Sequence, residues 1–224
     1  MTAVTDAPAP KKARSRSRMT GRERREQLVG IGRKLFAEKG FEATTVEEIA
    51  AQSGVSKPVV YEHFGGKEGI YAVIVDREIE ALTGALTDAL ALGGHPKALL
   101  ERTALTLLGY IEANTDGFRI LVRDSPVAQA TGTFSSLIGD VATQVEHLLA
   151  EQFKRQNLDP KTAPIYARML VGMVALTGQH WLDSRSPAKT DVAAHLVNLA
   201  WNGLSGLERQ PTLTRPTTAA RKPS

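Results

Sequence analysis

Residues 44–67 read TTVEEIAAQSGVSKPVVYEHFGGK, and this pattern predicts two short helices joined by a tight turn. Thr44 and Thr45 can each cap the first helix, because a threonine oxygen accepts from the free N–H groups of a first turn, and acidic residues follow at the capping-box offset. Gly54 suits the left-handed residue that ends a helix. Ser56 can cap the second helix, whose first turn tolerates Pro58 because proline's missing N–H needs no partner there.

The second helix has an inward and an outward side. Val60 and Phe64 are four positions apart and therefore share the inward side. The residues left on or near the outer side are Lys57, Val59, Tyr61 and His63. A helix of about two turns does not need these residue types for its own stability. We interpret the stretch as a helix-turn-helix whose second helix enters a groove of DNA.

The order TTVEEIAxxxGVSKPxxYxHFxxKE resembles the helix-turn-helix of the TetR family of bacterial transcriptional repressors. The likeness extends back through LFAEKGF at residues 35–41 and forward to about Tyr71. It implies an all-α protein with an N-terminal three-helix DNA-binding domain and a C-terminal helical domain for ligand binding and dimerisation. The implied function is a ligand-responsive regulator, a repressor that binds a palindromic operator in double-stranded DNA as a homodimer.

The same resemblance implies which residues contact DNA. Phosphate contacts are implied for Thr45, Tyr61, His63 and Lys67, and contacts with base edges or thymine methyl groups for Lys57, Pro58 and Val59, next to the cap residue Ser56. Lys57 is best suited to guanine, because its amine can donate to O6 and N7. Glu62 is expected to point away from the DNA. For Tyr61, packing against Phe64 is the alternative to a phosphate contact.

The composition is that of an ordinary globular protein and shows no pattern of catalytic or metal chemistry. The 224 residues are 42% hydrophobic and 23% charged. The absence of cysteine excludes disulfides, thiolate catalysis and cysteine-ligated zinc. The five histidines form no metal-site spacing that we recognise. We therefore predict no enzymatic activity, no catalytic residues, no metal and no cofactor. Without a long apolar run or a signal-peptide pattern, we expect a cytoplasmic, nucleoid-associated protein with no membrane partner.

The positive charge is concentrated in two tails. The first 25 residues carry eight Lys or Arg and two acids, and the last 16 carry four basic residues and no acid. Because the whole chain carries +4, residues 26–208 carry −6. The N-terminal tail either follows the DNA backbone as an arm or only improves solubility.

Hydrophobic periodicity predicts helices and no strand. We expect a disordered basic arm over residues 1–20, a DNA-binding domain over 21–66, an effector-binding and dimerisation domain over 67–208 and a disordered tail over 209–224. The expected helices are 22–39, the two of the helix-turn-helix, 67–92, 96–114, 117–122, 135–156, a helix opening at Asp159 or Thr162 and ending near 182, and a last one capped by Ser186-Pro187 and ending near 206. A loop with Pro126 and Gly132 separates two of them.

Two segments, residues 165–182 and 190–207, are apolar almost all round. Such helices must be covered on every side. A second subunit would cover the side that the chain's own core leaves open, with Ala200 at the interface. The alternative is a helix in the centre of a monomer.

The C-terminal domain also holds aromatic and methionine residues that can line an apolar pocket. The candidates are Tyr110, Phe118, Phe134, Met169, Met173 and Trp181. For each of them, taken singly, packing in the core is the favoured interpretation, and the same holds for His180, which could also line a cavity. A pocket of this kind predicts a largely hydrophobic small-molecule effector. A constitutive DNA-binding protein without an effector, or an activator, is the alternative function.

Overall fold

The structure is a computed structural model that describes residues 19–123 and 134–213. In these residues the chain forms helices and turns and no strand, so the predicted all-α fold is confirmed. The helices are α1 (Gly21–Lys39), α2 (Val46–Ser53), α3 (Lys57–Phe64), α4 (Lys67–Ala91), α5 (Pro96–Ala113), α6 (Thr115–Val122), α7 (Phe134–Arg155), α8 (Ala163–Ser184) and α9 (Lys189–Ser205). A 3-10 turn, Pro160–Thr162, precedes α8.

Helices α1, α2 and α3 pack into a small head around fully buried apolar side chains, among them Leu28, Ile49 and Val60. Thr45 begins α2 with a complete capping box, in which its hydroxyl accepts from the Glu48 N–H and the Glu48 carboxylate accepts from the Thr45 N–H. Gly54 has the left-handed conformation, with a φ of 64°, that turns the chain toward α3.

Helix α4 belongs to both parts of the molecule. Near its beginning, Ile70 and Ile74 are buried in the same core as α1. Toward its end, Leu82 and Leu86 are buried in the body formed by α5 to α9. The 25 residues of α4 therefore run without a break from the head into the body.

The body packs in pairs of helices. Helix α7 lies against α8, and α9 lies mainly against α5. The short helix α6 contacts both α1 and α4. Just after α6, the Arg123 guanidinium donates to the Ala37 carbonyl at 2.7 Å, where a cation interacts favourably with the C-terminal end of α1.

Three predicted caps differ in the structure. Thr44 does not cap a helix, because it is buried and its hydroxyl donates to the Gly40 carbonyl at 2.8 Å. Ser56 occupies the position before α3 but makes no capping hydrogen bond. Helix α9 begins at Lys189 after Ala188, so Ser186-Pro187 is not its cap; the Pro187 carbonyl instead accepts from the Trp181 indole at 2.8 Å.

Several predictions lie outside the described residues: the basic arm up to residue 18, the loop with Pro126 and Gly132, and the tail from residue 214. Among the described helices, none combines the length and the apolar character needed to cross a membrane.

Candidate nucleic-acid interface and ligand cavity

Helix α3, the second helix of the predicted helix-turn-helix, presents a polar and partly apolar outer face to solvent. Lys57, Pro58 and Tyr61 are exposed, and Val59 and His63 are half-buried. Thr45 and Ser56, which precede α2 and α3, are exposed as well. Tyr61 is 55% exposed, which leaves it accessible to a partner.

Lys57 has an acidic neighbour on α2. Its amine forms an ion pair with the Glu47 carboxylate, and this hydrogen bond lowers the pKa of Glu47. Both side chains are more than half exposed. Exposed ion pairs contribute little to stability, so Lys57 can leave Glu47 for a base edge at small cost.

The Lys67 ammonium faces the head rather than solvent. It donates to the carbonyls of Phe41 and Thr44 at 3.0 Å each and to that of Glu42 at 3.4 Å, and it lies 4.4 Å from the centre of the Phe41 ring. These carbonyls occupy all three of its donors. In the structure Lys67 therefore braces the turn between α1 and α2, and its phosphate contact stays a prediction.

Arg25 positions α3 from the side of α1. Its guanidinium donates to the His63 carbonyl at 2.6 Å and lies 4.2 Å from the centre of the Phe64 ring. A cation at the C-terminal end of a helix also interacts favourably with the helix dipole. The sequence predicts Arg25 within the first helix, and no local signal separates it from the other arginines around it.

The body contains an apolar cavity of about 530 Å³ between α4, α5, α7 and α8. Leucine, isoleucine and valine side chains dominate its wall. Leu82, Leu86 and Leu90 of α4 belong to this wall. Helix α4, which follows α3 in the chain, therefore also forms one side of the cavity.

Comparisons with known proteins agree with this arrangement over most of the chain. Residues 31–74 match the family of bacterial regulatory proteins of the tetR type, and residues 96–203 match the tetracyclin repressor-like C-terminal domain. The chain belongs to the TetR family. Membership in this family of transcription regulators supports the prediction that the protein is not an enzyme.

Of two relatives of this TetR-family protein, one is named an activator and the other a repressor. The HTH-type transcriptional activator FasR of Mycolicibacterium smegmatis is 28% identical over 194 residues, which are 84% of this chain and 86% of FasR. The HTH-type transcriptional repressor KstR2 of Rhodococcus jostii is 35% identical over 91 residues, which are 41% of this chain and 45% of KstR2.

A solved TetR-like transcriptional regulator from Rhodococcus sp. RHA1 has the same fold. It superposes with a TM-score of 0.71 at 25% identity and covers 85% of this chain and 100% of its own. Both domains of the TetR-family architecture are therefore present, and the protein is a DNA-binding transcriptional regulator.

Only one of the six predicted pocket residues of this TetR-family protein, Phe134, lines the cavity. Phe118 is fully buried behind it, with ring centres 5.5 Å apart, and the Tyr110 hydroxyl donates to Glu78 inside the core. Met173 packs against the core, Trp181 is buried beside Pro187, and Met169 is 61% exposed. The prediction is corrected for these five residues: aromatic rings fill the solid core, and branched aliphatic side chains form the wall. His180 is exposed and neither lines this cavity nor lies in the core.

Sequence reasoning missed a polar cluster at the junction of the head and the body. The Glu78 carboxylate accepts from Arg33 of α1 at 2.9 Å and from the Tyr110 hydroxyl of α5. Burial and the bond to Glu78 raise the pKa of Tyr110. Gly117 of α6 lies so close that a Cβ there would be 2.0 Å from a Glu78 carboxylate oxygen. Four helices meet at this one carboxylate.

Among the described residues, no group of three or more histidine, aspartate and glutamate side chains could hold a metal ion.

Proposed function

We propose that this TetR-family protein is a ligand-responsive repressor that binds a palindromic operator as a homodimer. The observation that carries the proposal is the course of α4. Only two residues, Gly65 and Gly66, separate this helix from the recognition helix α3, and its far end forms part of the wall of the apolar cavity. A ligand in the cavity therefore touches the element that positions α3. Its effect on operator binding is limited to the difference between its affinities for the conformation that binds DNA and for the one that does not.

The DNA-contacting residues of the proposal are those exposed on α3 and at the starts of α2 and α3. Lys57, Pro58 and Val59 would face base edges, and Thr45, Ser56, Tyr61 and His63 would lie along the backbone. We propose that residues 21–66 form the DNA-binding domain and residues 67–208 form the effector and dimerisation domain.

An exposed apolar face on α8 and α9 supports the dimer. Ile165, Met169 and Leu176 of α8 are 56%, 61% and 66% exposed, and Leu199 of α9 is 65% exposed. The three α8 residues recur at helical spacing and so lie on one side of that helix. Large apolar side chains grouped in this way mark a protein interface. A second copy of the chain would cover them.

An activator is the second candidate, and the likeness to FasR, over more of this chain than the likeness to KstR2, favours it. Genome-wide binding of the wild-type protein, followed by transcript measurement in a deletion strain, tests both. Transcripts beside the bound sites rise on deletion if the protein represses and fall if it activates.

Lys57→Ala tests the assigned DNA interface. We expect this variant to lose the preference for the selected sites, because a good base contact discriminates by about 1–3 kcal/mol. Lys161→Ala removes the same side chain from the exposed turn before α8 and is the matched control. Equal binding by both variants would contradict the assignment of α3 as the recognition helix.

A further inference from the structure

The cavity is elongated. Its wall includes residues of α7 from Phe134 to Arg155, about 31 Å of helix, and residues of α5 from Pro96 to Leu107, about 17 Å. A compact cavity of about 530 Å³ would touch only a short part of these helices, so the cavity is elongated along α7.

One end of the cavity offers no hydrogen-bonding side chain. Around Phe134 the wall consists of hydrocarbon, including Leu82, Leu107, Leu137 and Ala175. The hydroxyl of Thr103, farther along the wall, already donates to the Leu99 carbonyl at 2.9 Å. A polar group placed at this end would lose its hydrogen bonds to water and gain none.

The polar side chains of the wall gather at the opposite end. His147, Glu151, Gln152 and Arg155 occupy the last turns of α7, and all but Gln152 are exposed. The Glu151 carboxylate is paired with Lys154 at 2.6 Å. The Arg155 guanidinium takes part in none of the described ion pairs, so it can meet an anion at this mouth.

We propose that the effector is a single-chain amphiphile: one unbranched hydrocarbon chain along α7, with a carboxylate at the mouth beside Arg155. This inference rests on the proposed function and adds the class of ligand. A compact ring skeleton would leave part of this long wall without contact, and a molecule with polar groups at both ends would bury one of them unpaired.

Calorimetry with straight-chain carboxylic acids of increasing length, kept below their micelle concentrations, tests the shape. Affinity should rise about fourfold for each added methylene group until the chain fills the cavity, and then level off. The α,ω-dicarboxylic acid of the best length should bind at least tenfold more weakly. Equal binding of the dicarboxylic acid, or tighter binding of a polycyclic carboxylic acid with the same number of carbons, would overturn the proposal.

Val141→Phe tests the position of the chain, because Val141 lines the cavity between its two ends. The best chain length should become shorter, while the affinity for short chains stays within about twofold. Thr143→Phe places the same ring on an exposed position of α7 outside the wall and is the control. If the folded Val141→Phe protein still prefers the same length of carboxylic acid, the placement of the hydrocarbon chain along α7 is wrong. The comparison with the dicarboxylic acid uses the wild-type protein and does not depend on this variant.

Operator binding separates this inference from the proposed function. If chain acids bind as described and leave operator affinity unchanged, the ligand class stands and the proposed regulation fails. If another compound releases the operator and no chain acid binds, the regulation stands and the ligand class is wrong.

Discussion

At the scale of single residues, the Glu78 carboxylate is the most consequential feature of the core. Its side chain is 12% exposed, and it bonds to Arg33 and Tyr110 on two other helices. A buried ion pair gives little net stability, but removing one partner is costly because the other is left uncompensated. The cluster therefore favours one arrangement of α1, α4 and α5 more than it adds to overall stability.

Glu78→Leu should lower the free energy of unfolding by about 3 kcal/mol, because Arg33 and Tyr110 lose their acceptor. The double variant Arg33→Met, Glu78→Leu should recover a large part of this loss, since it removes both charges. Urea denaturation at pH 7 measures both values. A double variant less stable than Glu78→Leu alone would contradict the view that an uncompensated Arg33 causes the loss.

Because of Tyr110, the folded protein should lose stability as the pH becomes alkaline. Its pKa is raised in the folded protein, by burial and by the bond to Glu78, above the value of about 10 in an unfolded chain. The contribution of Tyr110 is fully present below pH 10 and is lost as the pH rises further, because only the unfolded state then releases the proton. The loss approaches about 1.4 kcal/mol per pH unit.

Tyr110→Phe should therefore flatten the fall of stability between about pH 10 and 11.5, even though it lowers stability at pH 7. Denaturation at a series of pH values gives the slope. Tyr61→Phe, at an exposed tyrosine, is the control and should keep the wild-type slope. Identical slopes for both variants would contradict the role of Tyr110.

None of this cluster was predictable from the sequence. Arg33 and Glu78 lie in helices whose charged residues mostly face solvent, and a single charge on an amphipathic helix carries no sign of burial. Tyr110 looked like one of several aromatic residues. Their meeting depends on how α1, α4 and α5 pack, and on the absence of a side chain at Gly117, which is information about tertiary structure.

At the scale of helices, hydrophobic periodicity predicted the bounds of several elements well. The predicted bounds of α1, α4 and α5 agree with the structure to within one residue at each end. The pattern could not tell which apolar side of a helix faces the core. Ala200, which we expected at the subunit interface, is buried within the chain, whereas Leu199 beside it is exposed.

Leu199→Glu should convert the expected dimer to a folded monomer, because the charge enters the exposed apolar face without disturbing the chain's own core. Light scattering at micromolar concentration should give about twice the 24.2 kDa chain mass for the wild type and once that mass for the variant. Leu92→Glu, at a residue that is 73% exposed just after α4, is the control.

Ala200→Glu is expected to unfold the chain instead, since it buries an unpaired charge. A monomeric wild-type protein would contradict the dimer, and a dimeric Leu199→Glu variant would show that the subunit interface lies on another surface.

At the scale of the whole molecule, the basic N-terminal tail should act through phosphate attraction. Residues 1–18 contain five Lys or Arg. Their removal should weaken operator binding and lower the slope of log affinity against log salt by about 0.9 for each phosphate that the protein no longer neutralises. The preference for operator over random DNA should change less. Titrations at several salt concentrations measure both, and an unchanged slope would mean that the tail only improves solubility.

The ligand should lower the affinity of the protein for the operator by the same factor by which the operator lowers its affinity for the ligand. Two recognition helices must lie about 34–36 Å apart to enter successive major grooves. A coupling of about 2–3 kcal/mol would weaken operator binding roughly 30- to 150-fold. A compound that raises the melting temperature should release operator DNA, and operator DNA should weaken the compound's binding by the same factor. A tight ligand without this reciprocity would contradict the control mechanism but not the assignment to DNA binding.

The bracing by Lys67 has a mechanical consequence. Because its ammonium holds the carbonyls of the turn between α1 and α2, the head is tied to the first turn of α4 and should rotate with it as one lever. From Lys67 to Ala91 this lever is about 36 Å long. A tilt of only about 5° displaces one end relative to the other by about 3 Å over that length, a large fraction of one base-pair step of DNA. Small shifts of α4 around a bound ligand would thus displace α3 by enough to change its fit in the DNA groove.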